Sequence, residues 1–214
     1  MTDIAEPTTT DGDIPPATPG GESHGLSHAT STGISNEKLA MWCFLGSECL
    51  LFGGLISTYL LYKDKAVRGP RPHDLYAIPF TSVSSFVLLM SSLTMVLAVS
   101  AIQRGDQRAL RAWISTTAIL GATFISGQVY EFSVFLHEGM GFTTNAASSA
   151  FFTLTGFHGV HVTLGIVMLL SLLVLSLRGR LPQERAEAVE IVGLYWHFVD
   201  VVWILIFTVV YLIK

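Results

Sequence analysis

AFFTLTGFHGVHVTLGIVMLLSLLVLSL, residues 150–177, contains no Asp, Glu, Lys or Arg. About 20 apolar residues cross the hydrocarbon core of a bilayer as a helix, and this stretch is longer than that. Its second half is almost wholly aliphatic. Its first half places His158 and His161 beside Gly156, Gly159 and Gly165. A helix bathed in lipid on every side has no use for two histidines. The stretch therefore predicts a membrane helix packed inside a bundle, with one face turned to polar partners.

Four further apolar segments read as walls around it: about 39–62, 80–102, 113–135 and 191–213. The predicted fold is all-α, a polytopic bundle of five transmembrane helices spanning residues 36–214. Composition agrees: 50% of the residues are hydrophobic and 13% charged, against about 25% charged in an average soluble domain. The connections carry the breakers. Pro70, Pro72 and Pro79 exclude a continuous helix through 63–79, and Pro79 is placed to open the second span. That span is rich in hydroxyls (Thr81, Ser85, Ser91, Ser92 and Thr94 among them) that can bond to backbone carbonyls or bridge helices. Gly46, Gly53 and Gly54 in the first span are expected to allow close helix approach.

Residues 1–35 hold TTT, PPATPG and five acids (Asp3, Glu6, Asp11, Asp13, Glu22) with no base. Such a segment buries too little apolar surface to offset its ordering entropy, so an acidic disordered tail is expected. No basic region leads into an early apolar run, so insertion is expected to rely on the first span. Nothing resembles a basic nucleic-acid surface. Cys43 and Cys49 sit six residues apart on one predicted helix, too far to bridge or to share a metal.

An odd number of spans puts the termini on opposite sides. With the N-terminus inside, Lys38, Arg104, Arg108, Arg111, Arg178, Arg180 and Arg185 fall inside, against Lys63, Lys65, Arg68, Arg71 and Lys214 outside. The balance favours N-inside and C-outside.

Six ionisable residues lie within the spans: Glu48, Glu131, His158, His161, His197 and Asp200. A charge in hydrocarbon costs at least about 2.5–3.5 kcal/mol, so each is expected to face the bundle and find a partner. Counting helix rise along the apolar windows places Glu48, His197 and Asp200 in one layer, and Glu131, His158 and His161 in another. His158/His161 and His197/Asp200 are each spaced i, i+3 and share a helix face. A metal or haem ligand pair and a hydrogen-bonded packing layer are both compatible with that spacing. A haem-bearing bundle needs facing histidines at matching depth, which the estimate does not supply, so packing, lipid contact or a proton route is the preferred reading. No Cys-based zinc or copper spacing and no Gly-rich phosphate loop is present.

The stretches MWCFLGSE (41–48), GQVYEF (127–132), TGFHGVHVTLG (155–165) and YWHFVDVVWI (195–204) resemble subunit III of the haem–copper oxidases in its short five-helix form, over residues 36–214. The resemblance implies a non-catalytic subunit of a proton-pumping respiratory terminal oxidase in a bacterial cell membrane. It carries the family's intramembrane glutamate onto Glu48, the acid after its GQ-x-Y motif onto Glu131, its paired histidines onto His158 and His161, and its aromatic-His-Phe-x-Asp signature onto His197 and Asp200. It implies no cofactor in this chain, haem and copper in partner subunits, bound phospholipid, contact mainly with subunit I, and with subunit II and further respiratory subunits beyond it. The role implied is to stabilise the catalytic subunit and its proton-uptake side and to aid oxygen access through lipid. Longer members have two additional helices flanking a lipid-filled cleft, which this chain lacks. The expected parent complex is a cytochrome c oxidase. A quinol oxidase, a nitric oxide reductase accessory subunit and an independent small transporter or channel are the alternatives.

Overall fold

A computed structural model describes residues 35–63 and 78–212. The expected disorder of 1–35 lies, but for residue 35, outside the described residues. Within the membrane unit, residues 36–214, the described residues form five long helices: α1 Asn36–Tyr62, α2 Ile78–Gln103, α3 Gln107–His137, α4 Ala146–Leu177 and α5 Ala186–Phe207. A single 3₁₀ turn, Gln183–Arg185, leads into α5, and a π-helical turn, Thr208–Leu212, ends it. All five stretches are long and apolar enough to cross a membrane. The chain is an all-α polytopic membrane protein.

The local chemistry explains where helices stop and start. α2, α3 and α4 end in the same way, with a glycine at positive φ (Gly105 +76°, Gly139 +81°, Gly179 +67°). In each, the next residue's N–H reaches back to the carbonyl five before it: Asp106 to Ala101, Met140 to Phe135, Arg180 to Leu175. This closure satisfies carbonyls that the helix end would otherwise orphan. Asp106 then caps α3, accepting from the N–H groups of Arg108 and Ala109 at 3.0 Å each. Asn145 caps α4 by accepting from Ser148 N–H at 2.7 Å. Pro79 occupies the first turn of α2, where a missing N–H costs nothing.

Helices α2, α3, α4 and α5 pack as a closed ring, each against the next, while α1 lies against α4 and α5. One end of the bundle is marked by Asn36 and Gln103, the other by Tyr62 and Tyr211. At the Asn36 end Arg111 donates to Ser176 Oγ and to the Ser176 carbonyl (3.0 and 2.7 Å), joining α3 to α4. The core is centred on α5. The Trp196 indole is fully buried between Gly121 of α3 and Gly165 of α4, and those glycines are what let three backbones converge on a large ring. Trp203 packs edge-on against Phe124 at 4.7 Å.

The expectation for α1 needs correction. A Cβ placed on Gly46, Gly53 or Gly54 would meet nothing within 4 Å, so among the described residues these glycines bring no helix close. Only Leu45, Phe52 and Tyr59, one residue per two turns, are buried on α1. The opposite face is open, with Leu50 81% exposed and both cysteines, unbridged, at the surface. The reason is topological: α1 sits outside the ring, so among the described residues its glycines face no other helix.

Candidate functional site

Four of the six ionisable residues singled out in the sequence, Glu48, Glu131, His161 and His197, form three contacts. At mid-helix, His161 of α4 meets Glu48 of α1, Nε2 to Oε2, at 3.1 Å. His161 Nδ1–H donates to its own helix, to the Phe157 carbonyl at 2.8 Å. That bond has a chemical consequence. A carbonyl can only accept, so Nδ1 carries a proton. The contact between Nε2 and Oε2 then needs one proton of its own, held on the ring or on the carboxyl. In both arrangements the pair is neutral overall, which suits a site with side chains only 10% and 14% exposed in a medium that penalises net charge. Tyr195 of α5 donates to the His161 carbonyl at 3.0 Å, and the Phe52 ring of α1 abuts the imidazole at 5.0 Å. Three helices thus meet around the pair.

Near the Tyr62 end, Glu131 of α3 accepts from Thr81 Oγ1 of α2 at 2.7 Å and from Tyr211 OH beyond α5 at 3.2 Å. Glu131 is 7% exposed. Two oxygens, each with its own donor, clamp three chain segments together.

The third contact pairs His197 Nδ1 of α5 with Ser92 Oγ of α2 at 2.6 Å. Asp200, one turn further on, is buried, and neither of its oxygens has a hydrogen-bond partner among the described residues. His158 is likewise buried with both ring nitrogens unpartnered, stacked on Trp203 at 4.9 Å and edge-on to Phe124 at 6.0 Å.

These contacts redraw the layers expected from helix rise. Glu48 meets His161, not His197 or Asp200, and Glu131 meets neither histidine of α4. Two physical facts account for it. Helix α4 begins at Ala146, four residues before the apolar window, so His161 lies ~6 Å deeper than that window implies. Depth also says nothing of azimuth: α1 packs on α4 and α5, and Glu48, the acid in the middle of α1, is turned to α4.

Sequence reasoning passed over the two tryptophans as polar partners. Trp196 Nε1 donates to Ser91 Oγ at 3.0 Å and Trp203 Nε1 to Ser85 Oγ at 2.8 Å, so the hydroxyls of α2 serve α5. The signal was the seven-residue spacing of the tryptophans, which puts both on one face. Among the described residues, no three His, Cys, Asp or Glu side chains converge as a metal-holding group.

Five membrane-length helices joined by buried side-chain hydrogen bonds define a polytopic membrane protein whose polar residues work between helices. The family model for cytochrome c oxidase subunit III matches residues 21–214, and the chain belongs to that family. It is 43% identical over 177 residues to a cytochrome c oxidase subunit 3 of Bacillus sp. (strain PS3), covering 83% of this chain and 86% of the relative. It is 40% identical over 195 residues to a quinol oxidase subunit 3 of Bacillus subtilis (strain 168), covering 88% and 95%. A cytochrome bo(3) ubiquinol oxidase subunit 3 of Pseudomonas aeruginosa is 35% identical over 189 residues, covering 88% and 90%.

Proposed function

We propose that this chain is the non-catalytic subunit III of a haem–copper terminal oxidase that reduces oxygen to water and moves protons. The family match across residues 21–214 carries the reading. Its non-catalytic part is supported by how the intramembrane groups are used: Glu48–His161, Glu131–Thr81–Tyr211 and His197–Ser92 each join two or more helices. The main partner is the catalytic subunit I, with subunit II and further respiratory subunits beyond it, and haem and copper belong to those partners. The open face of α1, with Gly46, Gly53 and Gly54 unfilled, suits a partner helix at close approach. In this role the six ionisable residues act in packing and lipid contact. The subunit steadies the catalytic subunit on its proton-uptake side and offers oxygen, a small apolar molecule, a lipid-lined approach. The N-terminus lies in the cytoplasm.

For the electron donor, quinol is the reading to test first. The quinol oxidase relative from Bacillus subtilis aligns over more residues, and more of both chains, than the cytochrome c oxidase relative from strain PS3. Purification from native membranes in mild detergent, with a haem spectrum and mass analysis of the accompanying chains, tests the reading. The chain is expected to travel with a haem-rich subunit and, once separated, to show no Soret band. A chain that migrates alone and carries its own haem would overturn it. Oxygen uptake by the purified complex with reduced quinol or reduced cytochrome c assigns the donor, and nitric oxide consumption without oxygen uptake would move the complex to the reductase class.

A further inference from the structure

Along α5, Glu190, His197 and Asp200 follow one another at spacings of seven and three, so they lie on one face of the helix. Helix α2 packs against α5 and lays polar side chains along that face. Gln103 Nε2 donates to Glu190 Oε1 at 3.0 Å, and Ser92 Oγ lies 2.6 Å from His197 Nδ1. Ser92 also faces Asp200, with no hydrogen bond between them. The stripe begins at the surface. A groove of about 480 Å³ at the Asn36 end of the bundle is lined by Lys38, Ser100, Gln103 and Glu190 and, further in, by His197. The Nδ1 of that ring is engaged by Ser92, which leaves Nε2 to serve the groove. The stripe ends on Asp200, which is 3% exposed and has no hydrogen-bond partner for either oxygen among the described residues. Glu131, an acid used in packing, has a donor on each oxygen. Asp200 is built differently.

We propose that Asp200 is a proton-binding site that exchanges with water at the Asn36 end of the bundle through Ser92 and His197. A buried carboxylate with no donor is costly, and such a group escapes the cost by becoming neutral. A proton is the one cation that neutralises it without needing a shell of further ligands. The depths suit the exchange. His197 follows Glu190 by seven residues of α5, about 10 Å, and Asp200 by ten, about 15 Å. The headgroup layer of a bilayer is roughly 5–8 Å thick on each side. His197 therefore lies near the inner edge of that layer, within reach of water entering the groove, and Asp200 lies one turn deeper, in the hydrocarbon.

The transfer uses the His197 tautomer with its proton on Nδ1, donated to Ser92 Oγ, and a Ser92 hydroxyl turned to Asp200. A proton from water binds at Nε2. Nδ1 passes its own to Ser92 Oγ, and Ser92 passes its hydroxyl proton to the carboxylate. One proton enters, one is bound, and His197 and Ser92 are left neutral; the reverse order of steps releases it. The charged groups along the route, Lys38 of α1 and Glu190 of α5, are paired with each other at 2.6 Å, and the side chains that α2 supplies, Ser92, Ser100 and Gln103, do not titrate. Past Asp200 the same face of α5 continues with Trp203, whose Nε1 is taken by Ser85 at 2.8 Å, and then with Phe207. The stripe therefore stops inside the membrane: it stores a proton and does not carry one across. The proposal requires only that the chain resides in a bilayer and does not depend on which oxidase it serves.

The full chain, purified in mild detergent with the subunits that accompany it, is moved from H₂O to D₂O, and its carboxylic-acid C=O absorption is followed by infrared difference spectroscopy. One acid band of the unaltered protein should be missing in Asp200→Asn, and that band should shift on deuteration ahead of the buried amides. Ser92→Ala should slow the shift by about 100-fold, the low end of what a positioned proton donor contributes. Ser92→Thr, which keeps the hydroxyl, should restore it. Ser171→Ala, which removes a hydroxyl bonded to its own helix at the Val167 carbonyl, should change neither the band nor its rate. Should Asp200→Asn fail to assemble, Asp200→Glu, which keeps the carboxyl and moves its band, makes the assignment. No acid band at Asp200, a band that resists D₂O, or a shift as fast in Ser92→Ala as in the unaltered protein would overturn the proposal.

Discussion

Gly165→Ala probes how α5 is seated in the ring. A Cβ at position 165 would fall 2.8 Å from both Cε3 and Cζ3 of Trp196 and 3.4 Å from Cε1 of Tyr195. Carbon atoms pack best at about 3.5–4.0 Å, so the methyl group overlaps the indole by ~0.7 Å or more. The ring has little room to retreat. A Cβ at Gly121 would lie 2.6 Å from its Cη2, so α3 backbone already touches it, and Ser91 holds its Nε1 at 3.0 Å. Overfilling a packed core costs about 1–3 kcal/mol. With the ring blocked by a second helix and held by a hydrogen bond, the upper half applies: about 2–3 kcal/mol, or roughly 30- to 150-fold in the folded-to-unfolded ratio. Gly156 of the same helix is the control, since a Cβ there meets nothing within 4 Å, and Gly156→Ala should stay within ~0.5 kcal/mol. The assay is equilibrium unfolding in mixed micelles of mild detergent and dodecyl sulfate, followed by far-ultraviolet circular dichroism. Gly165→Ala behaving like Gly156→Ala would refute the seating of Trp196 between α3 and α4.

Ser85→Ala and Ser91→Ala each strip the acceptor from a buried indole N–H; each should cost about 1–3 kcal/mol in the same titration, and a double variant should show the sum if the two sites are independent. Tyr211→Phe removes one of the two donors to Glu131 and should cost about 0.5–3 kcal/mol, with faster amide hydrogen exchange confined to the Tyr62 end; faster exchange at the Asn36 end instead would contradict the placement. Glu48→Ala should loosen α1 from α4 and raise protease access to α1, whereas Glu48→Gln, which can still hydrogen-bond to His161 Nε2, should lose less than half as much; equal losses would show that charge, not hydrogen bonding, holds the pair. Gly179→Ala places a methyl in open space at φ +67°, so its cost, about 1–2 kcal/mol, measures backbone strain alone.

How far the site could be read from the chain differs from residue to residue. The importance of Glu48 and His161 followed from their presence in apolar stretches, because hydrocarbon makes an ionisable side chain costly wherever it sits. Their pairing did not follow, since helix rise gives depth without azimuth. The serines of α2 were legible as polar contacts within a span. That two of them serve as acceptors for Trp196 and Trp203 depended on α2 facing α5 across the ring. Gly46, Gly53 and Gly54 looked like Gly121 and Gly165 in composition. Only the latter touch another helix, because α3 and α4 belong to the ring and α1 does not. Lys38 counted only as an inner-side charge and Glu190 not at all, until the fold placed them 2.6 Å apart.

The linear order of residues determined that this protein is five membrane helices. Each apolar run satisfies its own backbone along its own length, and a glycine beyond the ends of α2, α3 and α4 supplies the left-handed turn that stops those three. These are local matters, settled within a few residues. Which side chains meet was decided by the ring closure of α2 to α5 with α1 laid outside, because the contacts that matter join residues 50 to 118 positions apart. Their geometry depends on how each helix is rotated about its axis, and the rotation is set by packing with all neighbours at once.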